Sequence, residues 1–273
     1  MNSFYILQNT DKDPDGEVTG RIAEYLRSKG ANVVNVRDGA EVRPNADAVI
    51  VLGGDGTVLR AARRIVGTGL PLVGINLGSL GYLAEIQKDA YRSALDRLLR
   101  DEIRIEERMM LTGRVLRGGK MLAEHIALND IVISRSGPLR IMCFENYVNG
   151  EPLSTFKADG VIIATPTGST GYSLSAGGPI VSPTASLILI TAVAPHTINT
   201  RSVILSPTDR ISITVSGSRH TDEAAAVSFD GEDAVVLSTG DSVEAEQAQV
   251  RTRLIRLTDM SFLDILRHKM QLT

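Results

Sequence analysis

The chain has 273 residues, 43% of them apolar and 22% charged, with a formal net charge of −3. That length makes one large domain or two modest ones with ample chain for a core, and the mild negative charge gives no global reason to bind nucleic acid or a membrane surface. The single cysteine, Cys143, excludes an internal disulfide and thiolate zinc clusters and fits a reducing compartment.

The first hundred residues alternate strand and helix. Residues 4–7 read as a short apolar strand. Asp15-Gly16-Glu17 opens a helix through Ile22, Tyr25 and Leu26 that closes at Gly30. Strands follow at 33–36 and 48–52, then a helix over 58–66, a strand over 70–75, and a helix carrying Ala90, Tyr91, Ala94, Leu95 and Leu98. This rhythm predicts a parallel sheet with crossover helices, whose ligands bind at the carboxyl ends of strands. From about residue 102 the pattern changes to short β-rich runs at 126–133, 142–148, 160–164, 203–205, 211–215, 226–229, 234–237 and 241–245. Asn149-Gly150 and Asp230-Gly231 read as turns between them. An all-β, sandwich-like body is expected there. The tail, 261–267, reads as helix again. No signal peptide is read at the amino terminus, and the apolar run near 186–195 is too short to span a bilayer, so a cytoplasmic address is expected.

Three segments carry chemistry. Gly53-Gly54-Asp55-Gly56-Thr57 lies between the 48–52 strand and the following helix. Such a turn brings bare backbone N–H groups close to an anion, but a carboxylate among them repels phosphate unless it takes a proton or holds a metal. The other reading is a helix start with Asp55 as its N-cap. In Ala127-Leu128-Asn129-Asp130-Ile131-Val132-Ile133 two polar residues interrupt an apolar run, and burying them costs free energy unless they are paired. They read as ligand groups or as a bulge at a strand start. The third segment runs from Lys157-Ala158-Asp159-Gly160 through a strand into a loop, 165–179, dense with glycines and hydroxyls that suit sugar and phosphate oxygens. Within it, Tyr172 is either a stacking platform or a half-buried aromatic at the loop base.

Together these segments resemble the NAD kinases, of the bacterial and archaeal ATP-NAD kinase type. The resemblance also takes in the Gly74-Ile75-Asn76-Leu77-Gly78-Ser79-Leu80-Gly81-Tyr82-Leu83 stretch and Ala194-Pro195-His196-Thr197 with Arg201, in the family's order and spacing. It implies a Rossmann-like α/β domain over residues 1–100, to which 256–273 can return, and a β-rich NAD-binding domain over 101–255. It implies transfer of the ATP γ-phosphate to the 2′-hydroxyl of the adenosine ribose of NAD. Asp55 would be the catalytic base, with Gly56, Thr57 and Asn76 near nucleotide. Asn129, Asp130, Lys157, Asp159, Thr170, Gly171, Tyr172, Ser173, Leu174, Ser175 and the backbone of Ala194 would line the NAD site. Arg140 would meet a phosphate. His196 is expected to be structural. The resemblance further implies a divalent cation, Mg²⁺ brought with ATP instead of held by protein ligands, and a homodimer or homotetramer. Asp130, Lys157 and Glu232 stand where many members carry Glu, Arg and Gln, and Glu232 adds negative charge near anionic ligands. The competing expectations are a lipid or sugar kinase sharing the GGDGT turn, and a non-catalytic NAD-binding regulator. The 165–179 loop counts against the first and the missing G-x-G-x-x-G fingerprint against the second.

Overall fold

The computed structural model describes residues 1–78, 81–135, 142–197, 200–216 and 225–271. The chain divides into two compact units, Met1–Arg108 with Arg251–Thr273, and Met109–Val250.

In the first unit β1 (Ser3–Leu7), α1 (Glu17–Ser28), β2 (Asn32–Val36), β3 (Ala48–Leu52), α2 (Asp55–Ile65), β4 (Leu72–Asn76), β5 (Ile86–Gln87) and α3 (Tyr91–Leu99) follow in chain order. β1 pairs in parallel with β2 and β3, β3 with β4, and β4 with β5. Every residue of β3 and β4 is buried, which explains their unbroken apolar runs. The helices bury one face each: Val18, Ile22 and Leu26 on α1, Val58, Ala62 and Ile65 on α2, Ala94, Leu95 and Leu98 on α3. Spacings of three and four make these stripes, and each large side chain so buried contributes roughly 1.5–3 kcal/mol. α2 starts three residues earlier than its apolar periodicity predicts, because Asp-Gly-Thr carries no apolar side chain to mark the face.

The second unit is antiparallel. Its strands are β6 (Arg104–Arg117), β7 (Lys120–Ala127), β8 (Asp130–Arg135), β9 (Met142–Val148), β10 (Glu151–Ala158), β11 (Gly160–Ala164), then the single turn α4 (Tyr172–Ser175), then β12 (Ile188–Val193), β13 (Val203–Leu205), β14 (Ile211–Ser216), β15 (Ala225–Phe229), β16 (Glu232–Leu237) and β17 (Ser242–Arg256). β6 and β17 extend across the unit boundaries. One layer has the order β13-β12-β11-β8-β15-β16. The other carries β10-β9-β14-β17, and β6 and β7 form a hairpin. Met109, Ile131, Ile163, Phe144, Ile213 and Phe229 belong to one buried core shared by the layers, which is a sandwich. Asn149-Gly150 and Asp230-Gly231 form the expected turns, all four residues at positive φ.

Several elements differ from the sequence expectation, β6, β10 and β12 among them as unexpected strands and β17 as a longer one. The 126–133 run is not one strand: it breaks at Leu128–Asn129 between β7 and β8. The 156–158 stretch, to which the sequence pattern assigned no element, is the end of β10. The last element, α5 (Phe262–Gln271), belongs to the first unit, where the Phe262 ring lies 6.1 Å from that of Tyr82 and the Lys269 ammonium 4.8 Å from the Tyr82 ring. The end of β17 pairs in parallel with β4 at Leu254 and Leu72. Among the described residues no helix is long and apolar enough to cross a membrane.

Candidate active site

In the first unit the site is built at the carboxyl ends of β1, β3 and β4. Gly53 follows β3, and its N–H reaches Ile75 O at 2.9 Å. A Cβ on Gly53 would overlap the Thr57 side chain, so glycine is required. Gly54 is the N-cap of α2, and Asp55 is its first residue. The Asp55 carboxylate does not cap its own helix. Oδ2 accepts from Tyr82 N–H at 2.8 Å, and Oδ1 accepts from Leu83 and Ala84 N–H at 3.0 and 3.1 Å. Gly81 sits against this carboxylate, and a Cβ there would overlap Oδ1. The helix-cap reading of Asp55 is therefore corrected: its partners are amides of a distant loop.

That loop is itself fixed by buried charge. Arg256 Nη2 donates to Tyr82 O at 3.2 Å, Nη1 to Glu85 Oε2 at 3.2 Å and Nε to Glu106 Oε2 at 2.7 Å. Glu85 Oε1 accepts from Leu257 and Thr258 N–H. Arg256 and Glu85 are both buried, and such a pair holds only with this density of hydrogen bonds.

Around Asp55, Gly56 is exposed with open space where a side chain would be. Thr57 Oγ1 accepts from Asn9 Nδ2 at 2.7 Å. Asn76 is buried, and its Oδ1 accepts from Gly78 N–H at 2.8 Å, so that side chain shapes the turn after β4. Lys12, which the sequence reading passed over, brings its ammonium to 3.4 Å from the position of a Cβ on Gly54 and 3.7 Å from that of one on Gly78.

In the second unit Asn129 and Asp130 lie where β7 gives way to β8. Asp230, in the β15–β16 turn, accepts the backbone N–H of Leu128, Asn129 and Asp130 at 2.8, 2.7 and 3.1 Å. The Asp130 side chain is buried, and burial, aided by the neighbouring Asp230 charge, pushes its carboxyl up to about 7. Asn129 Oδ1 is buried and has no partner among the described residues. Unpaired buried acceptors are uncommon and call for an explanation.

The 165–179 loop folds over this pair. Thr165 N–H donates to Asn129 O at 2.8 Å, and Thr165 Oγ1 to Leu128 O at 2.6 Å. A Cβ on Gly168 would overlap Asn129 O, and one on Gly171 would lie 3.3 Å from Asn129 Nδ2 and 3.8 Å from Asp130 Oδ2. The structure thus brings Asn129, Asp130, Gly168 and Gly171 together. Several hydroxyls of the loop hold the loop itself: Ser169 Oγ bonds Pro166 O and Val181, Thr170 Oγ1 donates to Thr167 O at 3.3 Å, and buried Ser173 pairs with Thr191 at 3.3 Å. Tyr172, Leu174 and Ser175 are exposed, Tyr172 at 46%, so both readings of its ring stand.

Lys157, Asp159 and Ala194 form a second cluster at the opposite end of β11. Gly160 faces Ser134 and Val193, whereas Ala164 faces Asp130; four residue steps along the strand separate the ends, about 13 Å. Arg135 grips the Asp159 carboxylate through Nε at 3.1 Å and Nη2 at 3.2 Å, a partner the sequence did not reveal. His196 N–H donates to the carbonyl of Lys157, whose own side chain is exposed, and His196 Nε2 lies 3.9 Å from Asp159. Ala194 has φ 45°, sparsely populated for a residue with a Cβ. Glu232 opens β16 opposite Phe229. Arg140 lies outside the described residues.

An acidic glycine turn at strand ends of a parallel sheet, and an amide–carboxyl pair under a glycine-rich loop in a β-sandwich, define a nucleotide-handling protein of two units. The family model for the ATP-NAD kinase N-terminal domain matches residues 6–103, and that for the ATP-NAD kinase C-terminal domain matches 128–257. The chain belongs to the NAD kinase family. It is 43% identical to an NAD kinase of Lachnospira eligens, over 99% of this chain and 100% of that one, and 42% identical to an NAD kinase of Agathobacter rectalis, over 99% of each. Its fold matches the crystal structure of yeast NADH kinase complexed with NADH at a TM-score of 0.88, with 22% identity, covering 99% of this chain and 88% of that one. It matches an NAD kinase from Archaeoglobus fulgidus in complex with ATP at 0.77, with 22% identity, covering 99% and 98%.

Proposed function

We propose that the chain phosphorylates NAD to NADP with ATP as donor, and that Asp55 is its general base. Family membership gives the reaction. The observation that carries the base assignment is the set of three loop amides holding the Asp55 carboxylate away from its own helix. Oδ1 accepts two of them, while Oδ2 accepts one and keeps a lone pair for a proton. A ribose hydroxyl is a poor nucleophile at neutral pH, and a positioned carboxylate contributes about 10²–10⁴-fold by taking its proton in the transition state. The 2′-oxygen then forms its bond to the γ-phosphorus, the bond from that phosphorus to the β–γ bridging oxygen breaks, and ADP leaves with those electrons. The proton on Oδ2 passes to solvent.

Asn129, Asp130 and the loop through Gly171 hold the NAD in this reading, with Tyr172 stacked on a ring and the unpaired Asn129 Oδ1 receiving a ligand donor. Ser173 acts indirectly, by fixing that loop. Lys157, Asp159 and the Ala194 backbone contact NAD at a separate point. Their separation from Asp130 along β11 supports a homodimer or homotetramer in which a neighbouring subunit contributes one cluster. Light scattering on the pure protein tests that assembly.

A divalent cation, Mg²⁺ by its affinity for phosphate oxygens, accompanies the donor. Among the described residues no three His, Cys, Asp or Glu side chains converge on a metal position, and the Asp55 oxygens are engaged by amides. We read the cation as one that arrives on the triphosphate and is coordinated by its oxygens. When bound, it supplies charge neutralisation on the transferring phosphoryl group. We place the enzyme in the cytoplasm, where the single thiol stays reduced. Incubation with NAD, ATP and Mg²⁺, followed by an NADP-specific dehydrogenase, tests the function. Absence of NADP with every metal and donor tried would refute it.

A further inference from the structure

We propose that Lys12 contacts the γ-phosphoryl group of the donor and neutralises its charge during transfer. This rests on the kinase reading above. The loop between β1 and α1 is anchored on both sides of Lys12. Asn9 Oδ1 accepts the N–H groups of Asp11 and Lys12 at 3.0 and 3.2 Å, and Asn9 Nδ2 ties the loop to Thr57 in the first turn of α2. Buried Asp13 accepts Val18 N–H, Thr19 N–H and Thr19 Oγ1–H at 3.0, 2.9 and 2.6 Å in the first turn of α1. The Lys12 backbone is thus fixed to the start of both helices, and its exposed side chain reaches the glycine turn.

The ammonium stands beside Gly54 and Gly78, just past the ends of β3 and β4, within contact distance of the Cβ position of each. A cation at the positive end of a helix is unfavourable by itself and favourable once an anion lies between them. The Asp55 carboxylate is turned to the 82–84 amides and does not fill that role. On the same loop, next to the Asn9–Thr57 bond, a cavity of about 200 Å³ is lined by Arg37, Arg60 and Arg64 and by Asp11 and Asp38. Its guanidinium groups outnumber its carboxylates and its size suits the rest of a phosphate chain, and Lys12 stands nearer the reacting end. As the 2′-oxygen attacks, negative charge on the phosphoryl oxygens and on the leaving β–γ oxygen meets a fixed ammonium. Positioned charge of this kind is the main resource in phosphoryl transfer.

The test compares wild type, Lys12→Ala and Lys12→Arg. NADP formation gives kcat/KM for MgATP, and calorimetric titrations give Kd for MgATP without NAD and for NAD without ATP. Lys12→Ala is expected to lower kcat/KM for MgATP at least tenfold and to weaken MgATP binding, with Kd for NAD unchanged within twofold. Lys12→Arg is expected to recover most of the loss. Because the side chain is exposed, thermal unfolding should be unaltered in both. A change in kcat/KM for MgATP below twofold, or an equal loss of NAD and MgATP affinity, overturns the proposal. If wild type itself makes no NADP, the kinase reading fails, and the MgATP titrations alone then decide the role of Lys12.

Discussion

Asp230 takes the backbone N–H of Asp130 on Oδ1 at 3.1 Å, while its charge adds to burial in keeping the Asp130 carboxyl protonated up to about 7. One residue therefore shapes both the geometry and the ionisation of the proposed NAD site. The sign of the resulting pH dependence is fixed. Below about pH 4 Asp130 is protonated folded or unfolded. Between about 4 and 7 the native state keeps a proton that the unfolded chain has lost, so stability falls as pH rises. Asp130→Asn has no such proton. Its stability relative to wild type is expected to rise by about 2–3 kcal/mol from pH 5 to pH 8. Urea unfolding at several pH values measures this, and parallel curves for the two proteins would refute it.

Asp230→Ala removes the acceptor for three adjacent backbone N–H groups. Charge-assisted bonds of this kind are worth about 1.5–3 kcal/mol each but are not additive, so a loss of about 2–4 kcal/mol is expected by chemical denaturation. The Asp130 carboxyl should titrate at lower pH in this variant, as read by NMR. A wild-type titration would remove Asp230 from the account.

Gly81→Ala places a methyl group into the Asp55 carboxylate. Overpacking should cost about 1–3 kcal/mol in stability, while kcat falls at least tenfold with NAD affinity retained. Steady-state kinetics beside a thermal melt separate the two effects. Unchanged kcat would show that the orientation of Asp55 is immaterial.

Arg256→Met leaves Glu85 buried without its cation. Breaking such a pair costs about 3–5 kcal/mol, and the 82–84 amides that hold Asp55 lose their anchor at Tyr82 O. Both the unfolding midpoint and kcat are expected to drop. A stable, fully active variant would separate the buried network from the site.

Much of this was legible in the sequence where the signal is local. β3 and β4 announce themselves by continuous apolar runs, and Asn149-Gly150 and Asp230-Gly231 mark their turns because those residues tolerate positive φ. β10 escaped because its first five residues are all exposed, leaving no period-two alternation to read. The full length of β17 escaped because its middle, from Gln247 to Arg251, carries only Ala248 and Val250 as apolar residues, and Val250 is exposed. The partners of Asp55, Asp130 and Asp159 escaped for a different reason. They lie 24 to 100 positions away in the chain, and only the fold brings them near. Lys12 was invisible because a lysine in a polar loop has no periodicity, and its position follows from the bonds of Asn9 and Asp13.

The central claim is that Asp55 takes the proton of the 2′-hydroxyl on Oδ2. Turnover of Asp55→Asn under saturating NAD, ATP and Mg²⁺, beside its NAD affinity, tests it most directly. The amide keeps an oxygen for loop contacts but has no lone pair basic enough for the proton. The account predicts NAD binding within about twofold of wild type and a kcat lower by about 10²–10⁴. Wild-type turnover in that variant would contradict it.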